Sequence, residues 1–470
     1  MYGITLLELP LDILAKIFSI LHESDLSNLI LTCKTLKNFI LQDNTIWRSI
    51  AKKKLIIRDP LASVPDSRSW YNRCRISHNW CKGIFKKQRA LHYDTLYIPW
   101  LELHKSQILL LALGSDMFCF PTDRKGSPNC RTSLWSLHVP IVRRYDIRTN
   151  DISRFVIRDN ILLCGNRDGS AAVFLLNNPR KKPSLLCHID DCHQNGEVEV
   201  TAIEGIKTED KLCLLTGSCK SSELCLWSWN YSEDNYDHLY DRMQNANSKQ
   251  TIQIQSEEVG IKCLSMNKAN NKLAIGLAGN TKPLLLDCQM CALQLPIDPS
   301  LNMKRDAVKD ITWHNENTIA YVSHAGRMQL LDIRTNHVIY RNMDPFHSSL
   351  YCLKSDGNNA LIAGASEFSR CVLFDDRQPG RHVQMYFTQK NASPVYSLVF
   401  NSTKLIAAAD RSIGLVDFDV NSSVTRRYDY SDVKGCSIKR DMPCATSNGV
   451  GGSNSSRTLG PAGCCARHSL

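Results

Sequence analysis

From residue 97 onward the chain repeats itself, and that repetition limits the folds open to it more than any other feature. The unit is a short alternating strand, a turn, an apolar strand ending in small residues, a tight turn and another apolar strand. The clearest copy is ISRFVIRDNILLCGNRDGSAAVFLL at 152–176, where Asp168-Gly169 gives a hairpin signal between two apolar runs. Further copies begin at Val200, Ile261, Val308, Leu350 and Val395, and with IPWLELHKSQILLLALGSDMFCF at 98–120 they number seven. The starts fall roughly 42 to 61 residues apart, the length of a four-stranded unit. Each unit alone would leave an apolar sheet face in water, and stacking several around an axis buries all of them. The expectation is an all-β propeller of about seven blades over 94–430. A β-sandwich would not require seven copies of one pattern.

The units resemble WD repeats, in a degenerate form. The Gly-His start is missing, and the Trp-Asp end survives in part as Trp227-Ser228, Leu331-Asp332, Phe374-Asp375 and Val416-Asp417. The third unit carries a polar excursion, NYSEDNYDHLYDRMQNANSKQ, that reads as a surface loop.

The first fifty residues have a different period. LPLDILAKIFSIL at 9–21 places Ile13, Ile17, Phe18 and Leu21 on one helical stripe, with Pro10 at the start where its missing N–H costs little. A second helix opens at HESDLSNLILTCKTL, with Ser24 or Asp25 as cap and Leu26, Leu29, Ile30 and Cys33 as its apolar face. DNTIWRSI closes a third segment through Ile46 and Trp47. In order and spacing this run resembles an F-box: Leu9-Pro10, Ile13-Leu14, Ile17-Phe18, Leu21, Asp25-Leu26, Cys33 and Ile46-Trp47-Arg48. Leu36 stands where the family has a Trp. Membership of the F-box/WD-repeat proteins implies a small all-α module at 1–50 that docks on the Skp adaptor of a cullin–RING ubiquitin ligase. The adaptor-binding residues it implies are Leu9, Pro10, Ile13, Leu14, Ile17, Phe18, Leu21, Leu26, Leu29, Ile46 and Trp47. The plainer reading is a three-helix fragment that caps the propeller or mediates dimerisation.

Residues 51–93 are basic and aromatic, with Trp70, Tyr71, Trp80 and Phe85 among Lys and Arg. Interleaved rings and cations can grip single-stranded nucleic acid. They can equally be the two sides of a helix that braces the first module against the second, and Trp70, Arg73, Cys74, Ser77, Trp80 and Cys81 recur at helical spacing. NWCKGIFKKQ followed by IPWLEL is similar to the junction of the dactylin-like branch of the family. A ring must also close. Either 84–93, IFKKQRALHY, supplies the outer strand of the blade begun at Val395, as WD-repeat proteins commonly arrange, or VTRRYDY at 424–430 supplies it. Residues 431–470, rich in Ser, Gly and Asn, read as a disordered tail.

The formal net charge of +11 favours acidic partners. The longest apolar run, Ile108 to Leu113, is too short to cross a bilayer, and the start lacks a secretory signal, so an intracellular protein of cytoplasm or nucleus with reduced thiols is expected. Its 20 cysteines are scattered singly and read as small core residues. No catalytic or cofactor motif stands in a supporting context. CHIDDCH at 187–193 (Cys187, His188, Asp190, Cys192, His193) and the Cys288/Cys291 pair lack the four converging ligands of a structural zinc site, so neither a metal nor a cofactor is expected. Arg143-Arg144 and Arg426-Arg427 are candidates to contact an acidic or phosphorylated ligand. The reading is a non-catalytic substrate receptor of a ubiquitin ligase. Its rivals are a propeller scaffold without ubiquitination and a nucleic-acid binder using the connector.

Overall fold

The structure, a computed structural model, describes residues 6–59, 66–93, 97–123, 126–145, 149–208, 211–230, 248–254, 260–279, 281–288, 292–294, 306–386 and 393–421. Among the described residues five α-helices precede the sheets: α1 (Leu11–Ile20), α2 (Glu23–Thr32), α3 (Lys34–Gln42), α4 (Asn44–Ala51) and α5 (Trp70–Lys82). None of the described helices is long and apolar enough to cross a membrane.

Among the described residues twenty-eight strands then form seven four-stranded antiparallel sheets, a seven-bladed β-propeller. Six blades are continuous in sequence, spanning 100–138, 152–189, 202–253, 261–294, 308–343 and 350–386. The seventh takes three strands from 397–417 and its outer strand from Lys86–His92, which pairs antiparallel with Ser412–Asp417 from Lys86↔Asp417 to His92↔Ser412. VTRRYDY, the competing closure strand, and the 431–470 tail lie outside the described residues. The polar excursion at 230–250, read as a loop, is shorter than expected: Asn230 ends the strand Glu223–Asn230, Ser248 to Gln250 open the strand Ser248–Gln253 that pairs with it, and 231–247 lie outside the described residues.

The apolar clusters follow the ring. Each of seven clusters joins two neighbouring blades, and one of them sets Leu101, Leu109 and Leu111 of the first blade against Val399, Ile406 and Leu415 of the last. The small residue at the end of each blade's second strand has a steric cause. At Gly165, Gly217, Gly276 and Gly364 an added Cβ would lie 2.8, 2.6, 2.8 and 2.7 Å from Val200, Ile261, Val308 and Val395, the residues that open the next blade. The blades therefore pack closely enough that glycine sits under a β-branched neighbour.

Charged side chains tie the inner strands together. Arg154 of the second blade donates to Asp310 of the fifth at 2.8 Å, Arg158 to Glu204 of the third at 2.7 Å, and Lys354 of the sixth to Glu102 of the first at 2.8 Å.

α5 is the joint between the helical module and the ring. The buried Trp80 ring stacks on Phe418 with centroids 3.5 Å apart, and its indole N–H donates to the Ser402 carbonyl at 3.0 Å. Asn79 donates to the carbonyls of Phe418 and Val420 at 2.7 and 2.9 Å. On its other side, the Cys74 thiol of α5 meets the Trp47 carbonyl of α4 at 3.5 Å, and Tyr71 packs edge-on to Trp47 at 5.0 Å. Arg377 reaches from the sixth blade to the Lys54 carbonyl at 3.1 Å.

Candidate partner-binding face

α1 starts where Pro10 offers its carbonyl to the N–H groups of Ile13 and Leu14, at 3.0 and 3.1 Å. The cap of α2 differs from expectation: it is His22, whose Nδ1 accepts from Ser24 N–H, and not Ser24 or Asp25. Cys33 caps α3 by accepting from Leu36 N–H at 3.5 Å, and Asp43 caps α4 by accepting from Thr45 and Ile46 at 2.7 and 3.1 Å. Asp43 satisfies two of the N–H groups that a helix start leaves orphaned.

The module encloses a core of its own, in which Leu14, Phe18, Leu26, Leu36, Ile40, Ile46, Trp47 and Ile50 are buried. The Trp47 indole donates to the Ile40 carbonyl at 2.6 Å. Leu36, where the family resemblance leads one to expect Trp, is simply part of this core.

The stripe read as a single face from Ile13, Ile17, Phe18 and Leu21 is therefore two. At about 100° per residue, Leu14, Phe18 and Leu21 fall on one arc and Pro10, Ile13, Ile17 and Ile20 on another. The first packs inward, with Leu14 and Phe18 buried and Leu21 half-buried. The second stays in water: Pro10 is exposed, Ile13 is 48% exposed, Ile17 38% and Ile20 81%. Of the remaining expected contact residues, Leu26, Ile46 and Trp47 belong to the core, and Leu9 and Leu29 are half-buried against it. Ile20 was missed, although its position seven after Ile13 on a helix carries the signal. Leu11 and Leu31, also missed, are exposed as well.

The connector's rings are taken up internally. Trp80 and Phe85 both pack on Phe418, Tyr71 on Trp47, and Trp70 lies beneath the guanidinium groups of Arg73 and Arg48 at 4.6 and 5.7 Å. Rings so engaged brace the two parts and leave little face on which a base could stack.

Arg143 is exposed, whereas Arg144 is turned onto its own surroundings. It donates to the carbonyls of Asp168 and Asp190 at 2.9 and 2.6 Å and to the Asp191 carboxylate at 2.8 Å. The two arginines thus do not form one site. Arg426 and Arg427 lie outside the described residues.

Within CHIDDCH, Cys187 and Cys192 are core residues and His188 pairs with Asp190 at 2.8 Å. His193 instead approaches Glu223 and Cys225, their ligand atoms within 4.8 Å of one another. Among the described residues that set is one short of the four ligands of a structural zinc site. Burial pushes the Cys225 thiol up and holds His193, as a neutral imidazole, down to about 4. Cys291 is outside the described residues, so the Cys288/Cys291 pair is not placed.

The F-box-like family model matches residues 6–53. Over 422 residues the chain is 22% identical to the Mus musculus protein "F-box/WD repeat-containing protein 4", covering 87% of this chain and 92% of that one. The Homo sapiens protein of the same name is 22% identical over 428 residues, covering 88% and 93%.

Proposed function

Since the chain belongs to the F-box/WD-repeat proteins, we propose that it is the substrate receptor of an SCF-type cullin–RING ubiquitin ligase, joining the Skp adaptor to a protein held by the propeller. The observation that carries this reading is the exposed apolar arc Pro10, Ile13, Ile17 and Ile20 on a module whose core is already complete without it. Exposed aliphatic side chains lined along one helix have no polar group to desolvate in a partner's groove, and taking their remaining apolar surface out of water contributes about 25 cal/mol per Å². Leu9, Leu21 and Leu29 border the inner core and complete the proposed contact, while Leu14, Phe18, Leu26, Ile46 and Trp47 hold the helices in place behind it.

In such an assembly the reactive ubiquitin thioester is carried by another protein, and the receptor's contribution is to raise the local concentration of substrate lysines near it. The chain needs binding surfaces for this and no catalytic group, metal or cofactor. The Trp80–Phe418 stack and the Asn79 hydrogen bonds suit that task, because they fix the distance from adaptor to substrate. The proposed setting is intracellular, in cytoplasm or nucleus, where cullin assemblies work.

Affinity purification of the intact chain from cells, beside an Ile17→Asp form, separates receptor from scaffold. The receptor reading expects adaptor and cullin with the intact chain and loss of both with Ile17→Asp, since an unpaired carboxylate in the contact costs several kcal/mol. Equal recovery of the adaptor by the two forms, or its absence from both, contradicts the reading.

A further inference from the structure

A cleft of about 1280 Å³ lies at the joint between the helical module and the ring. One wall is the end of α4 and the segment after it, with Arg48, Lys52 and Arg58. The other is made by the turns that follow the inner strands of the sixth and seventh blades, with Asn358, Asn359 and Ser402. The space is ample for a small molecule with several charged groups. Hydrogen bonds fix the walls to each other. Arg58 N–H donates to the Asp356 carboxylate at 3.2 Å, Arg377 to the Lys54 carbonyl at 3.1 Å, and Arg68 to the Ser402 hydroxyl. Ser106 of the first blade donates to Asp59 at 2.7 Å. The cleft is therefore held open by the protein's own contacts.

Its lining is strongly basic. Among the described residues it presents eight Lys and Arg side chains against four Asp. Five of the cations are matched: Lys54 with Glu23 at 2.6 Å, Arg68 and Arg73 with Asp66 at 2.8 and 3.6 Å, Arg377 with Asp375 at 2.7 Å, and Lys404 with Asp417 at 2.7 Å. The other lining acids are engaged as well, Asp419 with Arg75, Asp59 with Ser106, and Asp123 with Ser127 N–H at 2.8 Å. Arg48, Lys52 and Arg58 remain, all exposed and none ion-paired with a described carboxylate. The chain that adjoins these walls without being described brings no surplus of acid. PLASVP between Asp59 and Asp66 has none, Arg124-Lys125 between Asp123 and Gly126 add base, and from Ser422 to Ser431 two arginines stand against one aspartate. The C-terminal end of α4 accounts for a cation at Arg48 or Lys52, although like charges four apart repel. It does not account for Arg58, which lies well past the helix on the same wall.

We propose that this cleft binds a small free anion carrying several phosphate groups, with Arg48, Lys52 and Arg58 as its cationic contacts and the amides of Asn358 and Asn359 as donors from the ring. Guanidinium groups suit phosphate because their paired N–H groups match its oxygens. One phosphate group carries at most about two negative charges, so three uncommitted cations call for more than one. Trp70 is the only aromatic residue among the described lining, and Arg73 and Arg48 stand over its ring at 4.6 and 5.7 Å. Nucleic acid therefore finds no ring on which to stack a base. Walls on two sides also favour a free molecule over a headgroup embedded in a membrane. An anion touching both walls would tie the helical module more firmly to the ring. The site stands independently of the receptor reading.

The test is isothermal titration of orthophosphate, pyrophosphate and tripolyphosphate into the intact chain at constant ionic strength. Affinity should rise along that series, and tripolyphosphate should raise Tm, as a ligand of the folded state does. Arg48→Gln, Lys52→Gln and Arg58→Gln should each weaken tripolyphosphate about tenfold, the loss of one charge-assisted contact. Lys37→Gln, on the exposed side of α3, should change nothing. Without the anion none of the three cleft variants should lower Tm, since no described ion pair is lost, so weaker binding is not misfolding. Ile17→Asp should bind tripolyphosphate normally, which keeps failure of the adaptor reading apart from failure of this site. Absence of tripolyphosphate binding, or unchanged affinity in the triple Arg48→Gln, Lys52→Gln, Arg58→Gln form, would overturn the proposal. So would tighter Arg58-dependent binding of oligodeoxythymidylate, or Arg58-dependent sedimentation with phosphatidylcholine vesicles carrying phosphatidylinositol bisphosphate.

Discussion

Leu14 and Ile17 lie on the same ten-residue helix, yet the first is 3% exposed and the second 38%. The difference was hard to read from LDILAKIFSI because only Asp12, Lys16 and Ser19 break its apolar surface, so nearly any stripe drawn through it looks amphipathic. Stability should separate the two positions. Leu14→Ala should cost the helical module about 2–5 kcal/mol, the range for a cavity in a packed core. Ile17→Ala should stay within about 0.5 kcal/mol, as surface changes do. Urea unfolding followed by tryptophan fluorescence measures both, and comparable losses would show that Ile17 is a core residue. His22 illustrates a different limit: an imidazole nitrogen can cap a helix, but Ser24 and Asp25 just after it are the stronger statistical signal. Arg144 could not be placed from sequence at all, since its partners Asp168, Asp190 and Asp191 are brought to it by the turns of the second blade.

At the scale of strands and blades the sequence was far more legible. The apolar run ending in a small residue marks the second strand of a blade, and the packing of Gly217 beneath Ile261 explains why the small residue is there. Gly217→Ala should destabilise the ring by about 1–3 kcal/mol through overpacking. Ile261→Ala in the same chain should recover part of that loss by removing Cγ2 and Cδ1, two of the three atoms met by the new Cβ, and a double-mutant cycle on thermal unfolding reads the coupling. Additive losses would mean the two blades do not meet as described. Helical spacing in the connector likewise located α5, because Trp80 is buried on one of its faces. What stayed hidden were β-bulges such as those at Lys262 and Lys309, where the pairing register jumps. A single unpaired residue leaves no periodic trace in so short a strand; it exists only relative to the neighbouring strand's register.

For the molecule as a whole, the two parts are connected by more than a linker. The closing strand Lys86–His92 and the α5 docking anchor the chain on both sides of Gly83, so the helical module is held to the sixth and seventh blades by buried contacts. The exposed arc of α1 is part of this one frame, so a partner held on it would stand at a fixed distance from the propeller, as the proposed receptor role requires. The most direct test is isothermal titration of purified Skp adaptor into the intact chain and into a form carrying Ile13→Ala, Ile17→Ala and Ile20→Ala. The account predicts tight binding to the first, at least about a hundredfold weaker binding to the second from the lost apolar burial, and the same Tm for both. Equal affinity for the two chains would contradict it.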